Sequence, residues 1–289
     1  MEEIETLRLP APAKLNLLLR IVGRRGDGYH LLQTVFQFID RCDWITLGRR
    51  TDGEIHLKTP LPGVPPEADL TVRAARALAA ATGTRAGVDI GIEKNLPMGG
   101  GLGGGSSDAA TVLVGLNRLW NTGLSVEALM DLGLKLGADV PVFVNGRSAW
   151  AEGVGERLTP LDLPEPWYVV VVPPCHVATG TVFSSPNLTR DNKPITIADF
   201  LAGRQENHCL PVVMELYPEI GAAMDDLSRY SEPRLTGTGA CVFAAFADER
   251  QARQAATDLG STRSAFVAKG ENLSPLQRAL GLDPGSRRS

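Results

Sequence analysis

Apolar runs near the start of the chain predict paired strands. Residues 13–22 and 31–39 are rich in Leu, Val, Ile and Phe, and the segment between them contains three glycines in six positions. Residues 44–47 and 54–58 predict two further short strands. The alternation of Val88, Ile90 and Ile92 predicts another strand over 87–93. The first third of the chain is therefore expected to be rich in sheet.

Helical spacing dominates the remainder, with isolated strands between the helices. The pattern predicts helices over 67–81, 107–120, 126–136, 196–202, 206–230 and 249–259, and strands over 167–172 and 241–246. This mixed order favours an α+β fold over a doubly wound parallel sheet. A proline-rich stretch at 158–166 predicts a boundary between domains 1–162 and 163–289, with a tail after about 281.

Composition narrows the class of protein. The chain has 289 residues, 43% of them hydrophobic, and a net charge of −4, so it can bury a full core and lacks the basic character of a nucleic-acid-binding protein. The acidic N-terminus does not resemble a signal peptide, and we expect a cytoplasmic protein without a membrane partner. The four scattered cysteines predict buried thiols in a reducing compartment.

The strongest chemical signal is the glycine run between a predicted strand and a predicted helix. Six of the seven residues from Gly99 to Gly105 are glycine, and Ser106 and Ser107 follow. Successive backbone N–H groups in such a run can converge on an anion, and the helix start adds a partial positive charge. The run therefore predicts a loop that binds the phosphates of a nucleotide.

Two familiar fingerprints and a structural turn compete with this interpretation. The spacing Gly99-x-Gly101-x-x-Gly104 matches a dinucleotide fingerprint, but no acidic residue follows at the required distance. The P-loop pattern fits from Gly100 to Gly105, but Ser106 stands where that pattern needs lysine. A turn without a ligand would cost conformational entropy for no gain in stability. The positive charge on the phosphates is thus expected to come from elsewhere in the chain.

Several ordered segments resemble motifs of the GHMP kinases, the superfamily of galactokinase and of the homoserine, mevalonate and phosphomevalonate kinases. They are residues 12–17 (PAKLNL), 26–30 (GDGYH), 97–110 (PMGGGLGGGSSDAA), 137–141 (GADVP) and 236–243 (TGTGACVF). The resemblance covers nearly the whole chain. It implies a two-domain α+β fold with a ribosomal-protein-S5-like N-terminal domain, a ferredoxin-like C-terminal domain, and the active site in the cleft between them.

The long glycine loop and the GDGYH segment are most similar to one branch of this family, which acts in the non-mevalonate route to isoprenoids. The resemblance implies that ATP is the phosphoryl donor with Mg²⁺, whose ligands stay open. The implied acceptor is the 2-hydroxyl of a small erythritol joined to cytidine diphosphate. Asp139 would be the general base, and Lys14 would stabilise charge at the hydroxyl and the γ-phosphate. The implied partners are small molecules only, with the protein a monomer or a weak homodimer.

The resemblance also assigns binding residues. Tyr29 and His30 would hold the cytosine ring, Phe183 would cover its opposite face, and Asn16 and Thr179 would contact the diphosphate or the erythritol. The residues expected to bind ATP form the glycine loop: Pro97, Met98, Gly99, Gly100, Gly101, Leu102, Gly103, Gly104, Gly105, Ser106 and Ser107. Asp69 departs from the family, which often has Asn there, and an amide donor is thereby lost.

The residues alone leave simpler interpretations open. Lys14 could face solvent from a strand, and Asp139 could be a turn residue between a helix and an apolar strand that begins at Val140. The two serines could cap the helix, and Tyr29 with His30 could anchor a loop. Two other functions also remain: a GHMP kinase with another acceptor such as homoserine or mevalonate, and a non-catalytic nucleotide-binding protein on the same fold.

Overall fold

The computed structural model describes residues 5–26 and 28–282. Within these residues the strands are β1 (Thr6–Arg24), β2 (His30–Arg50), β3 (Ile55–Leu57), β4 (Gly87–Glu93), β5 (Ala149–Gly153), β6 (Arg157–Pro160), β7 (Trp167–Val172), β8 (Arg234–Leu235), β9 (Val242–Phe246) and β10 (Ser264–Glu271). The helices are α1 (Leu70–Thr82), α2 (Gly104–Leu119), α3 (Val126–Leu134), α4 (Val140–Asn145), α5 (Thr179–Ser184), α6 (Ile197–Leu201), α7 (Leu210–Leu216), α8 (Pro218–Ser228), α9 (Glu249–Leu259) and α10 (Pro275–Ala279).

A long antiparallel pair, β1 with β2, organises the molecule. The two strands pair over nearly their whole length, from Thr6 opposite Gly48 to Arg24 opposite His30. The register shifts at three places along β1, between 12 and 13, between 16 and 18, and between 21 and 23. Such bulges bend a strand and redirect its side chains. The second shift lies beside Asn16, so it bends β1 at the point where the site is built.

The remaining strands form one continuous sheet around this pair. Its order is β3-β4-β2-β10-β7-β9-β8, with β1 and β5 also paired to β2, and β6 paired to β5. Strand β10 joins the two halves, because it pairs with β2 at residues 270–271 and with β7 at residues 264–269. The N-terminal and C-terminal parts of the chain are therefore linked through backbone hydrogen bonds.

Three clusters of buried apolar side chains form the core. The first lies between helices α1 to α4 and the sheet of β1, β2 and β4, and the second packs α7, α8 and α9 against β7 and β9. The third lies where the two parts meet, and it contains Leu15, Ile39, Val170 and Phe243. Leu276 of α10 lies in the first cluster, so the end of the chain returns to the N-terminal part.

Most predicted elements are confirmed, and three differ for identifiable reasons. The strands predicted over 31–39 and 44–47 are one strand, β2, because residues 42–43 between them also pair with β1. The apolar run after Asp139 is the short helix α4 and not a strand, because Pro141 occupies its first turn and the run is buried on all sides. The single helix predicted over 206–230 is two helices, α7 and α8, which are separated at Tyr217 before Pro218. Strands β5, β6, β8 and β10 and helices α5 and α10 were not predicted.

Three smaller expectations concern the cysteines, membrane-spanning helices and the C-terminal tail. Cys209 and Cys241 are buried free thiols as expected, whereas Cys42 and Cys175 are only half-buried. No helix in residues 5–26 and 28–282 is long and apolar enough to cross a membrane. The predicted tail after about 281 falls outside the described residues beyond Leu282, as do the first four residues of the chain.

Candidate active site

A cavity lies between the N-terminal and C-terminal parts of the chain. Its volume is about 560 Å³. One wall is formed by β1, β2 and the glycine loop, and the other by Thr179 and Phe183 of α5 together with the turn at Gly237 and Thr238. The start of α4 closes one end through Asp139. Segments far apart in sequence thus meet around one space.

The carbonyl groups of the glycine loop are bonded to the protein. The Gly99 and Gly100 carbonyls accept hydrogen bonds from the backbone N–H groups of Ala240 and Cys241 at 3.2 and 3.0 Å. The Gly101 carbonyl accepts from Lys14 Nζ at 3.0 Å and from the Thr236 hydroxyl at 3.2 Å. Every residue from Pro97 to Ser106 lines the cavity. With its carbonyls bonded elsewhere, the loop can direct N–H groups at an anion.

Two glycines in this loop are required by the protein itself. Gly101 has φ +76°, and a Cβ there would overlap the Thr236 carbonyl oxygen. Gly103 also has φ +76°, and its Cβ would lie 2.7 Å from the Phe143 ring and 3.2 Å from Lys14 Cε. A side chain would therefore strain the backbone and collide with fixed neighbours. The glycines let the loop pack closely against the turn at 236–239 and against Lys14.

Lys14 and Asp139 form an ion pair inside the cavity. Lys14 Nζ lies 3.3 Å from Asp139 Oδ2, and it donates to Asn16 Oδ1 at 2.5 Å and to the Gly101 carbonyl. Lys14 is 3% exposed, which excludes the solvent-facing alternative, while the Asp139 carboxylate is 35% exposed. Asp139 occupies the cap position of α4, but its side chain makes no capping hydrogen bond. Its carboxylate is therefore directed to Lys14 and the cavity.

Asn16 connects Lys14 to the neighbouring strand. Its Oδ1 accepts from Lys14, its Nδ2 donates to the Thr34 hydroxyl at 2.8 Å, and its backbone N–H donates to the Thr236 hydroxyl at 3.0 Å. The Thr34 hydroxyl donates in turn to the Leu18 carbonyl at 2.5 Å. Asn16 lines the cavity. The contact of Asn16 with substrate stays a prediction, and its bonds fix the position of the Lys14 ammonium.

A second lysine lies at the entrance of the glycine loop. Lys94 Nζ bonds to Asp43 and, at 2.8 Å, to Asp108 Oδ2, and Asp43 Oδ1 also accepts from the N–H groups of Asn95 and Leu96 at 2.6 and 2.8 Å. Burial lowers the pKa of Lys94, but the two carboxylates outweigh it and the net pKa is raised. Lys94 is therefore charged, and its charge is balanced by the protein.

Burial raises the pKa of Asp108 to about 7, although Lys94 opposes the shift. Asp43, the other carboxylate beside Lys94, adds to the rise. The Oδ1 atom of Asp108 is buried without a hydrogen-bond partner. Two carboxylates thus share one ammonium next to the loop, and one of them holds its proton near neutral pH.

The start of α2 corrects the capping interpretation of the serines. Helix α2 begins at Gly104, with Gly103 as its cap residue, so Ser106 and Ser107 lie inside the first turn and do not cap it. Ser106 lines the cavity, whereas Ser107 is fully buried. Asp69, the departure from the family pattern, caps α1 by accepting from the Thr71 N–H at 2.8 Å.

The residues predicted to hold the cytosine are partly brought together. The His30 and Phe183 rings stack directly, with centroids 4.8 Å apart and planes at 23°. Phe183 and Thr179 line the cavity, and the Thr179 hydroxyl lies 3.0 Å from that of Thr238. Tyr29 is 62% exposed. It is not one of the described residues that line the cavity. Asp27, in the same motif, lies outside the described residues.

Several residues of the site were not found from the sequence. Asp43, Lys94 and Asp108 lie together only through tertiary packing, but a lysine five residues before the first glycine of the loop is a usable signal. Arg190, which bonds to His30 and to the chain around Phe183, had no signal of its own because it lies in a polar loop. Thr34 and Thr238 are ordinary hydroxyl residues in sequence and become notable only through their contacts.

Comparison with known proteins identifies the family. The model of the GHMP kinases N terminal domain matches residues 69–147, and that of the GHMP kinases C terminal domain matches residues 192–264. A 4-diphosphocytidyl-2-C-methyl-D-erythritol kinase of Methylococcus capsulatus is 64% identical over 276 residues, which cover 95% of each chain. The chain belongs to the 4-diphosphocytidyl-2-C-methyl-D-erythritol kinases, within the GHMP kinases. It is an ATP-dependent small-molecule kinase.

Other relatives of this kinase agree in sequence and fold. The protein of that family from Pseudomonas aeruginosa strain PAO1 is 54% identical over 274 residues, covering 95% of this chain and 97% of its own. A crystal structure of 4-(cytidine 5'-diphospho)-2C-methyl-D-erythritol kinase matches with a TM-score of 0.79 at 34% identity, over 91% and 99% of the two chains. A homoserine kinase from Cytophaga hutchinsonii shares the fold, with a TM-score of 0.69 at 15% identity over 95% and 97%.

Proposed function

We propose that this kinase transfers the γ-phosphoryl group of ATP to the 2-hydroxyl of 4-diphosphocytidyl-2-C-methyl-D-erythritol, a step in the non-mevalonate synthesis of isoprenoid precursors. The observation that carries the chemistry is the Lys14–Asp139 ion pair beside the glycine loop in one cavity. The relatives named above support the choice of acceptor.

Asp139 is the proposed general base. As the 2-hydroxyl oxygen attacks the γ-phosphorus, its proton passes to the Asp139 carboxylate, a P–O bond forms to the acceptor, and the bond to the β-phosphate oxygen breaks to release ADP. Lys14 holds Asp139 Oδ2 at 3.3 Å, which orients the carboxylate. Because Lys14 is buried, its charge acts in a medium of low dielectric and stabilises the phosphoryl group during transfer.

The glycine loop is proposed to bind the ATP phosphates through its N–H groups and the start of α2. No lysine of the loop itself is needed, because Lys14 reaches the loop from β1 and bonds to the Gly101 carbonyl. The backbone hydrogen bonds from Ala240 and Cys241 fix the loop before ATP arrives. A loop that is already ordered loses little entropy when it binds the nucleotide.

The donor set fits Mg²⁺. The Ser106 hydroxyl and the Asp139 carboxylate both line the cavity, and oxygen donors of this kind are what Mg²⁺ prefers. Within the described residues no group of three or more His, Cys, Asp or Glu residues could hold a metal ion alone. This agrees with an ion that arrives with ATP and keeps several waters. When bound, Mg²⁺ would neutralise charge on the β- and γ-phosphates.

The division of the chain near residue 162 is part of the same proposal. Residues 1–162 would carry the ATP loop and the catalytic pair, and residues 163–289 would supply Thr179, Phe183 and the turn at 236–239. Helix α10 packs against the N-terminal part, so it also links the two parts of the chain. The cytoplasmic location, the lack of a nucleic-acid partner and the monomer or weak homodimer remain predictions from the sequence.

A coupled assay of ADP release tests the acceptor. We expect kcat/KM for 4-diphosphocytidyl-2-C-methyl-D-erythritol to exceed that for homoserine and for mevalonate by at least about 10⁴-fold, as in sites built to hydrogen-bond one substrate. Equal or higher activity with homoserine or mevalonate would replace the proposed acceptor. ATP binding without ADP release from any of the three would favour a non-catalytic nucleotide-binding protein.

A further inference from the structure

Helix α10 lies at the far ends of the two helices that begin at the cavity. Helix α2 starts at the glycine loop, and α4 starts directly after Asp139. At the other end of α2, Arg118 Nη1 donates to the Leu280 carbonyl at 3.0 Å. At the other end of α4, Gln277 Nε2 donates to the Val144 carbonyl at 2.9 Å. The C-terminal segment therefore connects the far ends of both helices.

Helix α4 depends on α10 for its position. It has only six residues, and a helix of this length is unstable on its own, with most of its carbonyls lacking a partner inside the helix. The segment around α10 supplies partners, because the Ser274 N–H donates to the Gly146 carbonyl at 2.9 Å beside the bond from Gln277. Gly146 has φ +72°, and a Cβ there would overlap Gln277 Cγ. The two segments are therefore in direct contact at the C-terminal end of α4.

The bond from Gln277 is made inside the core. Gln277 is 4% exposed, and the neighbouring Leu276 lies in the apolar cluster that also contains Val142 and Phe143 of α4. In such surroundings the low dielectric strengthens a hydrogen bond, and an amide left without a partner is costly. The bond therefore favours one arrangement of the two segments, and it fixes where α4 ends relative to α10.

The opposite end of α4 contacts both catalytic elements. Asp139 precedes α4, and its carboxylate pairs with Lys14 Nζ at 3.3 Å. Phe143 follows four residues later, on the same face of the helix. A Cβ on Gly103 would lie 2.7 Å from the Phe143 ring and 3.2 Å from Lys14 Cε, so these groups are closely packed. A shift of α4 would therefore move Asp139 relative to Lys14 and press Phe143 against the glycine loop.

We infer that Gln277 is a positioning residue for phosphoryl transfer, which acts through α4 to hold the Asp139 carboxylate in place beside Lys14. The inference rests on the proposed function, since it takes Asp139 to be the general base. Gln277 is not one of the described residues that line the cavity, so it should not contribute to the binding of ATP or the acceptor. A catalytic group displaced by about 1 Å can cost about 10²-fold in rate. Loss of the Gln277 bond should therefore lower kcat and leave KM nearly unchanged.

Gln277→Met removes the donor and keeps the length of the side chain. We expect kcat for ADP release with 4-diphosphocytidyl-2-C-methyl-D-erythritol to fall about tenfold, with KM for ATP and for the acceptor within about threefold of wild type. Gln277→Leu should behave likewise, and both variants should fold because one neutral hydrogen bond contributes little net stability. The control is Leu259→Ala, in the core of the C-terminal part. It should lower the melting temperature at least as much and leave kcat unchanged.

A double-mutant cycle with Asp139→Asn shows whether Gln277 acts through the carboxylate. Once the base is lost its position no longer matters, so adding Gln277→Met to Asp139→Asn should lower kcat by less than about twofold. A tenfold loss in both backgrounds, or wild-type kcat in both Gln277 variants, would overturn the inference alone. Wild-type kcat in Asp139→Asn would overturn the base assignment and this inference with it. A wild-type enzyme that does not turn over the acceptor would overturn the proposed function as a whole.

Discussion

Lys14 Nζ and Asp139 Oδ2 lie 3.3 Å apart, and this pair joins β1 to the start of α4 in the lining of the cavity. Lys14 is buried and has two further bonds, to Asn16 and to the Gly101 carbonyl, so its position is fixed by the protein. Asp139 is the more exposed partner and accepts no capping hydrogen bonds. A carboxylate held by a rigid ammonium at the cavity wall can accept a proton without first having to be positioned.

Asp139→Asn should lower kcat by about 10²–10⁴-fold, the range for a positioned base, which corresponds to about 3–5 kcal/mol of barrier. The amide keeps the shape of the side chain but has no basic oxygen for the acceptor proton. Steady-state ADP release measures the effect. Asp131→Asn, an exposed acid on α3, is the control and should leave kcat unchanged. A variant at residue 139 with more than half of the wild-type kcat would remove Asp139 from the base role.

Lys14→Met should lower kcat by about 10²–10³-fold, as expected when one preorganised charge is lost from a transition state. It should also lower the free energy of unfolding by about 1–3 kcal/mol, because the Gly101 carbonyl and Asn16 Oδ1 lose a buried donor. Urea unfolding and ADP release measure the two effects separately. The control Lys135→Met replaces an exposed lysine after α3. Wild-type kcat in Lys14→Met would contradict the proposed role of the ammonium.

Gly101→Ala and Gly105→Ala should behave in opposite ways. At Gly101 the new Cβ would overlap the Thr236 carbonyl in a left-handed backbone, so we expect a loss of stability above about 2 kcal/mol and a raised KM for ATP. At Gly105, inside α2, the Cβ meets only Leu70 at 3.6 Å. Alanine there should be neutral or stabilise by about 0.5–1 kcal/mol. Thermal melts compare the two, and equal stabilities would show that the loop is not packed as described.

Asp108→Asn tests the pair of carboxylates beside Lys94. The folded pKa of Asp108 is raised to about 7, mainly by burial, so the wild-type fold takes up a proton at this site between pH 4 and 7. The contribution of this site to stability is therefore highest at low pH and decreases as the pH rises toward 7. Asparagine has no charge to bury, so the stability of the variant relative to wild type should increase from pH 5 to pH 8. A pH-independent difference in urea unfolding would contradict this.

The sequence predicted the parts of the fold that depend on local pattern. The apolar spacing correctly predicted the strand over 87–93 and the helix over 249–259. The run of glycines correctly predicted a loop between a strand and a helix. The local pattern predicts the start of this helix at Ser107, whereas α2 begins at Gly104, so Gly104 and Gly105 are helical despite their low helix propensity. The apolar run from Val140 was misassigned because β-branched residues favour strands when only local preference is considered.

The residues of the site could be predicted only where they lie in a motif that resembles the family. Lys14 and Asp139 were paired through resemblance, and the bulged β1 and the short helix α4 supply the geometry that brings them together. The contacts of Asp43 with Lys94 and of Arg190 with His30 join residues far apart in sequence. No local pattern encodes such contacts, because they arise from packing between elements whose arrangement must be known first.

The central claim is that this cavity transfers phosphate from ATP to the 2-hydroxyl of 4-diphosphocytidyl-2-C-methyl-D-erythritol. The most direct measurement is NMR of the product made from substrate labelled with ¹³C at carbon 2. The account predicts a new phosphomonoester signal in the ³¹P spectrum that is coupled to the labelled carbon, together with one ADP for each product. A phosphate on another hydroxyl, or ADP without a phosphorylated product, would contradict it.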